Sequence, residues 1–254
     1  MAIARELDSV TGITDEISFP PSDLYSDEPP VETELHLRQI LILLQCLEWL
    51  WRDKNDFYAV GNLTIYYSPQ QKKSQDFRGP DFFVVLGTER KTRKSWVVWA
   101  ENGQYPNVIV EIISPTTANT DKEFKKELYQ NIFRTPNYFW FDPYTLELAG
   151  FHLVDGKYQP LTSNSQGHLW STQLELYLGV EQGFLRFFTP EGKLVPRPEE
   201  IAEQAEERAE QAEERAGQAE QKAEQAEQKA GQAEERAERL AAKLRSLNID
   251  PETI

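Results

Sequence analysis

The sequence predicts an α/β (α+β) protein: a mixed sheet flanked by helices, followed by a long coiled-coil-like helix. Three observations carry this. An apolar stripe at helical spacing opens the globular part. Short runs rich in Val, Ile, Phe, Tyr and Trp follow, broken by one further helical stretch, and a strict seven-residue repeat comes last. Strands lying between helical patterns give a layered domain, because each element must bury its apolar face against another. The 254 residues include six Trp and are 39% hydrophobic, which supports a packed core.

Composition divides the chain into four stretches. Residues 1–30 are acidic and rich in Pro, Ser and Asp, and read as a disordered lead-in. Residues 31–198 form the globular part, 199–247 a low-complexity Ala/Glu/Gln helix, and 248–254 a short tail. The net charge of −15 is unevenly spread. Residues 1–32 carry one Arg against eight carboxylates, 199–254 carry eight cations against sixteen, and the middle is balanced. A basic face on the globular part is therefore compatible with the overall acidity. Cys46 is the only cysteine, which excludes an internal disulfide and a Cys-based zinc site. The start lacks the apolar core of a signal peptide, and Ile40 to Trp51 is too short and too interrupted to span a bilayer. A soluble, cytoplasmic protein is expected, with no membrane partner.

The first helix is predicted over Thr33 to Asp53, with Thr33 as N-cap. Leu37, Ile40, Leu41, Leu44, Leu47 and Leu50 or Trp51 recur at helical spacing and are expected to form its buried stripe. Strands are then predicted in GNLTIYYS, DFFVVLG, KSWVVWA and NVIVEII. A second helix is expected in ANTDKEFKKELYQNIFRT, then a strand in NYFWFDP. From Leu146 to Phe188 the runs LELAGFHL, GKYQPL, LELYLGV and GFLRFFT read as hairpins. The tryptophans are expected in the core and over the sheet.

Chemistry concentrates between Arg78 and Asp142. Arg78-Gly79-Pro80-Asp81 sets a carboxylate at the mouth of a strand, after a proline that cannot donate into a sheet. NVIVEII places Glu111 in an apolar strand, on the face of Ile109 and Ile113. Burying that carboxylate is costly unless it is paired or metal-bound; a glutamate solvated or hydrogen-bonded at a strand end fits the pattern equally. On the second helix Asp121, Lys125 and Tyr129 recur every four residues and share a face, with Lys126 turned about 100° away. Lone His36 reads as a hydrogen-bonding residue of the first helix. Lys72-Lys73, Arg90-Lys91, Arg93-Lys94, Lys122, Lys125 and Lys126 are candidates for a phosphate-facing surface.

The order R-x-PD, E-I-I-S-P-T-T, D-x-x-x-K-x-x-x-Y and YFWFDP resembles the bacterial Uma-type restriction-endonuclease family, within the PD-(D/E)XK nuclease superfamily. The likeness runs from Thr33 to Asp142, and more loosely to Phe188. It implies a restriction-endonuclease-like sheet in which Asp81 and Glu111 bind Mg²⁺, with Mn²⁺ as a substitute and the Ile112 carbonyl nearby. Position 113, where the superfamily usually has its lysine, is Ile113. The family pattern moves that lysine to the following helix, which implies Lys125 as the catalytic lysine beside Asp81 and Glu111. The implied activity is Mg²⁺-dependent hydrolysis of phosphodiester bonds in DNA. The chain departs from the family in lacking a d-G-E start and in having RTPNYFWFD where G-V-x-E-Y-W is commoner.

With Ala202 at position a, Ala fills a and d through Ala237, and Leu240, Leu244 and Leu247 complete the seam. Such a period favours a left-handed coiled coil. Arg208, Arg215, Lys222, Lys229 and Arg236 hold g, and Glu206, Glu213, Glu220, Glu227 and Glu234 hold e. The g cations lack acidic neighbours three or four residues away, so the pattern suits ion pairs across a parallel homo-oligomer through 202–247. The competing reading is a solvated Ala-rich helix. A second functional class follows from the tail: a catalytically silent nuclease-fold scaffold that self-associates through it.

Overall fold

Thr33 opens the first helix: its Oγ1 accepts the His36 N–H at 3.2 Å, satisfying one of the donors a helix start leaves unpaired. Helix α1 spans Glu34–Leu50. The computed structural model describes residues 33–67, 77–113 and 120–247, the side chains of 77 and 120–122 excepted. The lead-in 1–30, Lys72-Lys73, the turn at 114–117 and the tail 248–254 lie outside the described residues, as do the side chains of Asp121 and Lys122.

The described residues belong to two units, divided between Arg197 and Pro198. In the first, a six-stranded mixed sheet holds β1 (Phe57–Gly61), β4 (Phe82–Leu86), β6 (Val108–Ile112), β7 (Asn137–Phe141), β8 (Leu148–Val154) and β9 (Lys157–Pro160), in that spatial order. Within this sheet, among the described residues, only the β6–β7 pair is parallel, and helix α2 (Thr120–Leu128) lies in the connection between them, as parallel neighbours require. A small sheet joins β2 (Ile65–Tyr66) to β3 (Phe77–Arg78) and β5 (Trp96–Val97); another is the meander β10 (Leu169–Ser171), β11 (Leu176–Glu181) and β12 (Phe184–Phe188).

The alternation of β6 sorts two cores. Val108, Val110 and Ile112 face α1 and the meander, through Leu43, Leu47, Leu178 and Phe187. Ile109 faces Trp96, Tyr129, Phe133 and Tyr138. The sheet thus has helices on both faces, an α/β arrangement. The approach of α1 is close enough that a Cβ on Gly61 would lie 2.1 Å from Ile40 Cγ2. The second unit contains α3 (Pro198–Ser246), 49 residues with none buried. Among the described residues no helix is long and apolar enough to cross a membrane.

Several expectations need correction. The buried face of α1 is His36, Gln39, Ile40, Ile42, Leu43, Cys46 and Leu47, whereas Leu37 and Leu41 are exposed. Two polar residues hold core positions because each finds a partner: Gln39 exchanges two 2.9 Å hydrogen bonds with the Leu185 backbone, and His36 reaches Asp81. GNLTIYYS is not one strand. Asn62, at φ 48°, turns the chain after β1, and β2 is only two residues long. KSWVVWA leaves the sheet at Val98 for a 3₁₀ turn. Trp96 and Trp51 are buried, but Trp49 is exposed beneath the Arg52 guanidinium.

Candidate active site

Two neighbouring strands bring the carboxylates together. Phe82 on β4 pairs with Val110 on β6 in antiparallel register. One step further sets Asp81 against Glu111, where opposed Cβ atoms lie about 4.5–5.5 Å apart and like charges destabilise a sheet. A fold keeps such a pair only with compensation, and each carboxylate here has its own donors.

Asp81 is clamped from two sides. Its Oδ2 accepts the Ile112 N–H at 2.6 Å, and its Oδ1 lies 2.9 Å from His36 Nε2. Burial opposes its ionisation but is outweighed by the hydrogen bond and charge of His36, by Lys125 and by the Ile112 N–H, so its carboxyl titrates below the usual range. Glu111 is 4% exposed. Its Oε2 accepts from Lys125 Nζ at 3.0 Å, and its Oε1 from the Tyr129 hydroxyl at 2.5 Å. Burial is the largest influence on it; Lys125 and Tyr129 favour its charged form and Asp81 opposes it, and its carboxyl is pushed up to about 7. Tyr129, fully buried and beside Glu111, is held well above the ordinary tyrosine range and stays a donor.

The second helix supplies the two donors to Glu111 from either side of a break in its geometry. Regular α-helix ends at Leu128, a single π turn covers Tyr129–Phe133, and Arg134 closes it at φ 52°. Such turns recur at functional sites. Lys125 and Tyr129 both reach Glu111, whereas Lys126 points elsewhere, its Nζ 3.6 Å from the Phe151 ring centre. The expected basic surface is only partly available. Arg90 is ion-paired with Glu48, and Arg93 binds Glu101 at 2.7 Å while lying over Tyr58 and Trp96. Sequence reasoning missed the link from His36 to Asp81. Forty-five positions separate them, and no local spacing encodes that contact.

Among the described residues no cluster of three or more His, Cys, Asp or Glu forms an all-protein metal cage. The donor set nonetheless fits a hard divalent cation of the Mg²⁺ kind, which takes one or two carboxylates and keeps several waters. When both are ionised, Asp81 and Glu111 set two negative charges side by side, and a divalent cation would relieve that repulsion.

A mixed sheet between helices thus carries the partly exposed Asp81, the buried Glu111 and Lys125 at the end of two interior strands. A family model described as "Putative restriction endonuclease" (Uma2) matches residues 24–186, more than half of the chain, and the chain belongs to that family. A second model, described as "Alanine-zipper, major outer membrane lipoprotein", matches residues 195–245, to which α3 is similar. Among solved structures, the chain is similar to a putative nuclease belonging to DUF820 from Anabaena variabilis ATCC 29413. The two are 15% identical, with 62% of this chain and 83% of that one covered and a TM-score of 0.46. No curated protein matches the chain.

Proposed function

We propose that the chain is a Mg²⁺-dependent endonuclease that hydrolyses phosphodiester bonds in DNA, with Mn²⁺ able to substitute. The observation that carries this is the meeting of Asp81, Glu111 and Lys125 at one end of the β4–β6 pair. Asp81 and Glu111 would hold the cation. The Ile112 carbonyl is a third candidate, since in an antiparallel strand a residue's N–H and C=O face the same neighbour. The Ile112 N–H already meets Asp81, and the residue that continued register sets opposite Ile112 is Pro80, which has no N–H to offer.

When bound, the cation supplies charge relief at the phosphate and acidifies water. The chain's own residues do the rest. Lys125, partly exposed beside buried Glu111, places a positive charge where the phosphate oxygens gain negative charge. The Tyr129 hydroxyl and the Ile112 N–H keep the two carboxylates from rotating. A DNA substrate implies a cytoplasmic site of action. Cleavage of supercoiled plasmid with Mg²⁺ or Mn²⁺, its loss in EDTA, and weaker action on RNA of matched length are expected. Cleavage that persists undiminished in EDTA contradicts the assignment.

The tail supports a further part of this reading, parallel self-association through residues 202–247. The five g cations make no ion pair within α3 among the described residues. In a parallel pair each meets an e glutamate, whereas an antiparallel pair sets cation against cation. A concavity on α3 is lined by Ala233, Arg236, Ala237 and Leu240, flanked by Lys229 and Gln232. Those four hold positions d, g, a and d, the outline of a hole that receives a knob from a facing helix. If the carboxylate pair proved inert, this assembly would be the protein's output, and the nuclease fold would serve as a scaffold.

A further inference from the structure

Helix α1 brings a third side chain to the carboxylate pair. His36 sits in its first turn and is 9% exposed, with Nε2 2.9 Å from Asp81 Oδ1. That turn is fixed on several sides. The Thr33 cap holds the His36 N–H, fully buried Gln39 is bonded twice to the Leu185 backbone, and Ile40 packs where Gly61 lacks a side chain. The imidazole therefore leaves a backbone that cannot easily shift.

We propose that His36 is a positioning residue for Asp81 as a metal ligand, an inference that rests on the metal-centre reading above. His36 Nε2 stands 2.9 Å from Oδ1 while the Ile112 N–H donates to Oδ2 at 2.6 Å, so the carboxylate is held at both of its oxygens. Its remaining lone pairs are then presented to the cation in one orientation. His36 acts through Asp81 and not as a ligand, because imidazole suits Zn, Cu, Fe and Ni, whereas Mg²⁺ takes oxygen donors. Partners that orient a ligating carboxylate typically contribute about 10–100-fold in metal affinity.

Methionine and glutamine have nearly the same shape, but only glutamine carries an N–H donor where Nε2 stands. The full chain, as wild type, His36→Met and His36→Gln, is titrated with Mn²⁺, free ion being read by electron paramagnetic resonance, alongside melts in EDTA. Met should weaken Mn²⁺ binding by about 10–100-fold and Gln should restore most of it, with all three folding cooperatively. Equal Mn²⁺ affinity in wild type and His36→Met overturns the inference, as does a Gln variant no better than Met. Nitrogen coupling to bound Mn²⁺ that vanishes in His36→Gln also overturns it, by making His36 a ligand. A wild type that binds no Mn²⁺ is a different result: it removes the metal-centre reading itself.

Discussion

At the scale of residues, the site is a balance of charge around a buried glutamate. Glu111 tolerates burial because Lys125 and Tyr129 face it, yet burial and Asp81 still hold its carboxyl at about 7. The folded value exceeds the ordinary one, so the proton is favoured by folding. The associated stability is complete below about 4.5, the unperturbed glutamate value, and is lost as pH rises through about 7. In metal-free protein, Glu111→Gln should therefore gain stability relative to wild type between pH 5 and pH 8, since glutamine does not titrate. Urea unfolding in EDTA at several pH values checks this, and parallel profiles would contradict it. The lysine assignment has its own test. Only Lys125 reaches Glu111, while Lys126 packs over Phe151. Lys125→Met should lower single-turnover cleavage by about 10²-fold or more, the scale of a lost charge-stabilising group, and Lys126→Met by little. The reverse ranking would place the catalytic charge elsewhere.

At the scale of elements, α1 shows where the sequence was legible and where it was not. Thr33 as cap could be read from local chemistry, but the helix ends at Leu50 and not Asp53, and the phase of its buried face could not be read. The leucines spread around most of the cylinder, and the face actually buried includes His36 and Gln39, whose partners are Asp81, just before β4, and Leu185 on β12. Leu43→Ala should cost about 2–5 kcal/mol in denaturant unfolding and Leu41→Ala about 0.5 or less, since Leu43 is fully buried and Leu41 is 42% exposed. Equal costs would mean the helix is rotated from its described position. In α3 the heptads were legible because the repeat is exact, and no buried position competes with it. Its ion pairs would contribute about 0–1 kcal/mol each and weaken with salt, leaving Leu240, Leu244 and Leu247 as the main apolar contact. Sedimentation of the full chain should show a larger species at low salt, lost when the five g cations become Glu. A monomer at every concentration in low salt would make α3 a spacer.

At the scale of the whole molecule, the fold class followed from the order of helical and strand patterns, while Asp81, Glu111 and Lys125 were singled out by resemblance to a family motif and are seen to meet in space. Two features stayed hidden because they depend on register and tertiary contact. One is the opposition of Asp81 and Glu111 across β4 and β6, and the other is the reach of His36 from α1. Short strands such as β2 and β5 were also obscured, because a left-handed Asn62 and a 3₁₀ turn interrupt runs that look continuous in sequence. The central claim is that this carboxylate pair makes the chain a metal-dependent nuclease. The measurement that tests it most directly is plasmid cleavage at saturating Mn²⁺ by wild type, Asp81→Asn and Glu111→Gln, each shown to be folded. The account predicts cleavage by wild type and a loss of about 10³-fold or more in both variants, as removal of a group essential to transition-state charge implies. Equal cleavage by all three would contradict it.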